Sequence, residues 1–432
     1  MFISESLGVN EQGHLTFGGH DTVELAGKYT TPVYIMDEVL IRKNCRNFVT
    51  SMNENYDGNG RVIYASKAFS CKAMYKIIAE ENMGIDVVSG GEIYTAVQAG
   101  FPMEKAYFHG SNKSYEEIEF ALKSGVGTIM VDNLLELELI ETAAEKLDTT
   151  ANVIVRVKPG IEAETHSFIM TGQVDSKFGL DLDTGDAMQA IKTALGSERI
   201  NFKGIHCHIG SQIFEVASFE HAAKVMVGIM KDIKDETGYE VEVLDIGGGF
   251  GIRYAEEHKP APFSEYMKRV SVVIKEECAK NGLKTPFVII EPGRSIVAEA
   301  GITLYTVGAI KTIPGCRTYV SIDGGMCDNP RYILYQSKYT AVIANKANEK
   351  ADFLATIAGK CCESGDMIQE NTYIQTPESG DIMAVLSTGA YNYSMSSNYN
   401  RNPRPAVVML NGDEERIVVK AETYEDLIRN DM

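Results

Sequence analysis

The fold class this sequence predicts is a (β/α)8 barrel joined to a second, β-rich domain, and three observations predict it. The chain has 432 residues, more than one ordinary domain holds. Between residues 61 and 291, eight short apolar runs alternate with helix-like stretches. After residue 295 the helical intervals cease, and strand-like runs follow one another across Gly, Pro and Asn turns.

The apolar runs are Arg61–Ala65, Gly84–Val88, Ala106–Phe108, Gly127–Val131, Asn152–Val157, Phe202–Cys207, Val241–Ile246 and Phe287–Ile290. Each is short and almost continuously hydrophobic, as parallel strands buried on both faces are. Between them the spacing predicts helices such as Glu92–Ala99, Ser114–Lys123, Leu134–Lys146, Phe219–Glu236 and Pro262–Asn281. Several open on a capping residue and stop at glycine, as Ser114 and Gly125 do. A doubly wound sheet is the alternative, but it usually has fewer strands.

In the second domain the expected strands are Ile302–Ile310, Thr318–Ile322, Asp352–Ala358, Ile382–Ser387, Ala406–Leu410 and Arg416–Val419, in a barrel-like or sandwich-like arrangement. The first 35 residues, with strand-like Pro32–Met36, have no barrel role. The domains are therefore expected at 36–295 for the barrel, and at 1–35 with 296–432 for the β-rich part.

A formal net charge of −19 argues against nucleic acid or an anionic membrane as partner, since both need a basic surface. The N-terminal stretch carries Glu5 and no apolar run of signal-peptide length, and no segment approaches the roughly 18 apolar residues that cross a bilayer. Eight cysteines are scattered without zinc-ligand or CxxC spacing, which suits reduced thiols and a cytoplasmic setting.

In a (β/α)8 barrel, catalytic groups sit at the C-terminal ends of the strands. Those positions hold Lys67, Asp86 with Ser89, His109, Asp132, Arg156, His208, Gly247–Gly249 and Glu291. A desolvated Lys67 amine can attack an aldehyde, although a solvated lysine at a strand end reads the same way in isolation. The run from Asp245 to Gly251 offers backbone N–H groups to a phosphate, and its late position and spacing disfavour a dinucleotide fingerprint. In Glu291-Pro292-Gly293-Arg294 the carboxylate suits a pyridine nitrogen, Gly293 a phosphate and Arg294 a two-point grip on a carboxylate; a surface turn with an ion pair is the plainer reading. His208 can stack on a flat ring and Ser211 can bind phosphate, or the histidine is structural. In the glycine-flanked loop 361–366 a thiol can deliver a proton and a carboxylate can bind an ammonium group. No His/Cys/Glu set has metal-ligand spacing, and no Ser-His-Asp order stands out.

Together the segments YASKAF, HCHIGSQ, DIGGGFG, EPGR, CCESGD and GAYNYSMSSNYN resemble the fold type III, alanine-racemase-like decarboxylases that use pyridoxal phosphate, and most of all their diaminopimelate decarboxylase branch. The resemblance runs over essentially the whole chain, in the family's order. It implies that Lys67 holds the cofactor as a Schiff base, that Glu291 faces the pyridine nitrogen and that His208 stacks on the ring. Ser211, Gly248, Gly249, Gly293, Arg294 and Tyr391 would line the cofactor site. Cys362 would be the general acid, supplied from the other subunit of a homodimer, with Glu363 contacting the substrate's amino group. The stretch Met326–Tyr335 is similar to the family's M-x-D-x-x-R-P-x-L-Y, so Arg294, Arg331 and Tyr335, with Tyr391, would bind substrate.

Two arginines favour a diacid, which implies conversion of meso-2,6-diaminoheptanedioate to L-lysine and CO2; the alternative is a decarboxylase of ornithine, lysine or arginine. Phe69, Tyr332, Lys360 and Cys361 depart from the family's usual residues, and Tyr332 and Cys361 flank the specificity loops.

Overall fold

The computed structural model describes residues 3–161 and 176–432. Two compact units emerge. One contains the described residues of 44–251 and 260–293; the other contains residues up to 43, 252–259 and 294–432.

The first unit is a closed barrel of eight parallel strands in chain order: Gly60–Ala65, Gly84–Val87, Ala106–Phe108, Thr128–Val131, Ala151–Arg156, Ile200–His206, Val243–Asp245 and Phe287–Ile290. Helices alternate with them, and local chemistry fixes their starts. Ser114 and Glu117 form a reciprocal capping box at Tyr115–Lys123, while Ser89 and Asn133 each accept from a backbone N–H in the first turn of the next helix.

Strand periodicity organises the barrel interior. Ile63, Tyr107, Met130, Ile154 and Ile289 form one buried layer. Side chains two residues further on point to the same side. Those positions replace the apolar layer with a polar one: His109 follows Tyr107, Arg156 follows Ile154, and Glu291 follows Ile289. Asp86 is the next-to-last residue of its strand, His206 and Asp245 end theirs, and all three are buried. The functional end of the barrel is thus written into the sequence as an i+2 switch from apolar to charged.

The second unit is built on the long strand Gly301–Ile313, which pairs antiparallel with Val33–Asp37, Ile382–Val385 and Arg317–Ile322. Arg317–Ile322 runs parallel to Phe353–Ala358, which continues to Met367–Ile374; Val33–Asp37 runs parallel to Ala406–Asn411, which continues to Glu414–Val419. Leu15, Phe17, Ile35, Ile302, Leu304, Leu386 and Val408 lie in its core. Among the described residues no helix is long and apolar enough to cross a membrane.

Candidate active site

Lys67 lies in the short 3-10 turn Ser66–Ala68 that ends the first barrel strand. Ser66 anchors the turn, its Oγ lying 2.5 Å from the Asp86 carbonyl oxygen and 2.7 Å from Glu92 Oε2. Lys67 Nζ stands 3.7 Å from Asp86 Oδ2. Among the described residues neither carboxylate oxygen of Asp86 has a hydrogen-bond partner, and burial pushes this group up to about 7 against the opposing charge of Lys67, with Glu291 adding to the rise.

Glu291 is buried at the end of the eighth strand. His109 Nε2 lies 3.3 Å and His206 Nε2 3.2 Å from its Oε1, with the two imidazoles set edge to face at 5.1 Å. Burial drives both histidines below their usual range, so they are neutral. Burial opposes ionisation of Glu291 as well, but the imidazoles outweigh it and the carboxyl is held well below the ordinary value. Asp245 takes the opposite direction: burial raises it, the charge of Glu291 raises it further, and the Gly247 N–H on Oδ1 offsets only part. Of this acid pair, Asp245 is the member pushed toward the protonated form and Glu291 the member pushed toward the anion.

The glycine loop after the seventh strand is close-packed on backbone. A Cβ on Gly248 would meet the Glu291 carbonyl oxygen at 2.1 Å, and one on Gly249, whose φ is +106°, would meet the Gly210 carbonyl oxygen at 2.2 Å. Gly248 N donates to His208 Nδ1 at 3.2 Å, which fixes the half-buried imidazole; burial and the Lys67 charge lower it to about 3. A Cβ on Gly293 would meet Ala65 Cβ at 2.9 Å, so this turn too admits only glycine without movement. Ser211 is half-buried in the loop after the sixth strand. An amine, a buried carboxylate, a neutral imidazole and a backbone loop without side chains form a donor set that fits pyridoxal phosphate.

The β-rich unit gathers the remaining residues in two places. Arg294 and Arg331 both lie against the Tyr391 ring, at 4.8 and 5.3 Å from its centroid, and Arg331 also faces Tyr335 at 5.0 Å. Tyr391 holds a left-handed backbone, φ +63°, which is unusual for a tyrosine and common at functional sites. Arg294 Nη1 donates to Tyr254 Oη at 2.6 Å. The second place is the loop bearing Cys362 and Glu363, both exposed. Asp366 ties this loop to the specificity segment, accepting from Met326 N at 2.6 Å and from Cys361 N at 2.7 Å. Tyr332, the residue that departs from the family's proline, donates to Glu370 Oε2 at 2.6 Å.

Sequence reasoning did not single out His206, Glu92 or Tyr254. His206 carried a usable signal, because it sits two residues after Gly204 on the inward face of its strand. Tyr254 carried none, since its partner is 40 residues away.

The family described as "Pyridoxal-dependent decarboxylase, pyridoxal binding domain" matches residues 39–298. The diaminopimelate decarboxylase of Bacillus methanolicus is 50% identical over 420 residues, 97% of this chain and 97% of that protein. That of Bacillus subtilis (strain 168) is 48% identical over 432 residues, covering 100% and 98%. The crystal structure of diaminopimelate decarboxylase from M. jannaschii in co-complex with L-lysine superposes with a TM-score of 0.91 at 34% identity, covering 100% of this chain and 99% of that one.

Proposed function

The chain belongs to the pyridoxal-dependent decarboxylases and, within them, to the diaminopimelate decarboxylases, and on that premise we propose how its own residues divide the work. The reaction is decarboxylation of meso-2,6-diaminoheptanedioate to L-lysine and CO2, the last step of lysine biosynthesis. Bound pyridoxal phosphate supplies a ring that accepts the electron pair left when the bond to the departing carboxylate breaks.

Lys67 binds the cofactor through its amine, and Asp86 beside it offers a carboxylate for that nitrogen's proton. Glu291 would hold the ring nitrogen, and His208 would hold the ring. Ser211, Gly248, Gly249, Gly293 and Tyr391 hold the phosphate, with Arg294 bordering the site. Arg294, Arg331 and Tyr335 bind the carboxylate that is retained, and Glu363 takes the neighbouring ammonium group. Cys362 delivers the proton that replaces CO2 on carbon. The exposure of Cys362 and Glu363 supports their service in the site of a second copy, so the working form is a homodimer with shared sites. The net charge and scattered cysteines support a cytoplasmic setting.

The observation that carries the substrate choice is the pair of guanidinium groups on Tyr391. A distal ammonium, as in ornithine or lysine, would meet two like charges there; a distal carboxylate meets a fork of donors. CO2 release by the protein loaded with pyridoxal phosphate, offered diaminopimelate, ornithine, lysine and arginine separately, tests this. Turnover of diaminopimelate alone is expected, and activity confined to the three monocarboxylates would overturn it.

A further inference from the structure

Nothing in the roles above uses His109 or His206, although they are among the most thoroughly buried polar side chains of the barrel. Both sit at inward-facing strand ends, 97 residues apart in sequence, and with Glu291 they bring three ligand-type atoms within 4.8 Å of one another. His206 Nε2 and His109 Nε2 stand 3.2 and 3.3 Å from Glu291 Oε1, and among the described residues none of these three atoms, nor His206 Nδ1, makes a hydrogen bond of good geometry. A barrel interior does not retain such polar atoms without a reason, because each loses its water on burial.

Building on the reading that Glu291 faces the cofactor's ring nitrogen, we propose that His109 and His206 are paired positioning residues that clamp Glu291 Oε1 from two sides, setting the direction in which the carboxylate meets that nitrogen. At 3.2 and 3.3 Å a small ring rotation lets each neutral imidazole turn its Nε2–H onto the same oxygen, and two donors arriving from different strands restrain that oxygen. The surrounding charges are arranged to keep the negative charge at this spot. Asp245 is pushed toward its protonated form beside Glu291, Asp86 titrates at about 7, and Arg156, Lys67 and His208 face the cluster from the fifth, first and sixth strand ends. Burial keeps His109 and His206 uncharged, so they position the anion without cancelling it.

The test reads the bound cofactor itself. The visible band of the loaded protein is titrated with pH, and pyridoxal phosphate affinity is measured by equilibrium dialysis, for the unaltered protein, His206→Leu, His109→Leu, Glu291→Gln and the His206→Leu/Glu291→Gln double variant. Each leucine variant is expected to move the midpoint of the band by about one pH unit and to weaken cofactor binding roughly tenfold. Adding His206→Leu to Glu291→Gln should change neither further, because the histidine acts through the carboxylate. His206→Asn, which restores a donor, should recover part of the loss; circular dichroism of the same samples separates misfolding from mispositioning.

An equal shift in the Glu291→Gln background, or none in the unaltered one, would overturn the inference. So would one equivalent of transition metal in the purified protein that disappears in His206→Leu, since the trio would then be a metal centre. A Glu291→Gln variant whose band and cofactor affinity match the unaltered protein would overturn the underlying reading of Glu291, and the clamp with it.

Discussion

Lys67 and Asp86 face each other at 3.7 Å, an amine with 41% of its side chain exposed against a carboxylate with none. Register explains the encounter: Ala65 of the first barrel strand pairs with Asp86 of the second, and the turn beginning at Ser66 swings the lysine back over its neighbour. Under the proposed assignment of Lys67, the cost of burying Asp86 falls beside the amine that would bind the cofactor.

That placement gives a pH signature. Asp86 titrates at about 7 in the folded protein and near 4 when unfolded. Below the lower value both states are protonated and nothing is lost. Between the two values the unfolded chain releases the proton while the folded one keeps it, so stability falls as pH rises through this window. Asp86→Asn should flatten the fall in apoprotein Tm between about pH 4 and 7. The flattening will be partial, because Glu299 and Asp328 are also raised to about 7 by burial and act with the same sign. Parallel Tm curves for the two proteins would refute the assignment.

Glycine substitutions separate close packing from conformational freedom. Gly248→Ala drives a methyl into the Glu291 carbonyl oxygen at 2.1 Å, a strain of about 1–3 kcal/mol or more on overpacking precedent. Gly228 lies inside the helix Val216–Thr237 with nothing near its missing Cβ, so Gly228→Ala should stabilise by about 0.5–1 kcal/mol. Denaturant titration of the apoprotein checks both signs. Equal effects at the two positions would mean that the backbone of the loop relaxes freely.

The loop after the third strand rests on a buried ion pair. Lys113 Nζ donates to Glu136 Oε2 at 3.0 Å and to the carbonyl oxygens of Met130 and Gly110 at 2.6 and 2.9 Å. Removing Glu136 strands a buried ammonium, so Glu136→Ala should cost about 3–5 kcal/mol. The double variant Lys113→Met/Glu136→Leu should recover the part due to the stranded charge and no more, because the Lys113 and Asp132 backbone N–H groups still lose their Glu136 acceptor. A double variant as unstable as Glu136→Ala would show that the pair is needed for more than its own neutralisation.

How much of this was legible beforehand depended on whether a residue's partner was set by strand periodicity or by distant chain. The eight barrel strands were readable because burial on both faces leaves continuous apolar runs; observed ends differ from expectation by two residues at most, as at Ile200 against Phe202. Met367–Ile374 was not read as a strand. One of its faces is solvated, so Gln369, Glu370 and Asn371 break the apolar pattern, and pairing with Phe353–Ala358 carries it instead. Helix Glu38–Asn55 escaped notice because its apolar stripe is diluted by Arg42, Lys43, Asn44 and Arg46. Lys67, His208 and Glu291 could be found because each stands within two residues of the end of an apolar run. The convergence of His109 and His206 on Glu291, and of Tyr254 on Arg294, is a product of topology that no local pattern records.

The shared-site reading makes a numerical prediction. Lys67→Ala removes the amine from the barrel unit, and Cys362→Ala removes the thiol from an exposed loop of the β-rich unit, so each homodimer alone should release almost no CO2 from diaminopimelate. If a site combines Lys67 of one chain with Cys362 of the other, a mixed dimer contains one wholly altered site and one wholly native site. Random reassortment makes half of the dimers mixed, and one of two sites in each is native, so about a quarter of the normal activity should return. Mixing the two variants under mild dissociating conditions, then assaying CO2 release alongside sedimentation of the mixture, checks this. Recovery near zero with mixed dimers demonstrably present would place both groups in the site of a single chain. Equal recovery before and after reassortment would exclude exchange as its source.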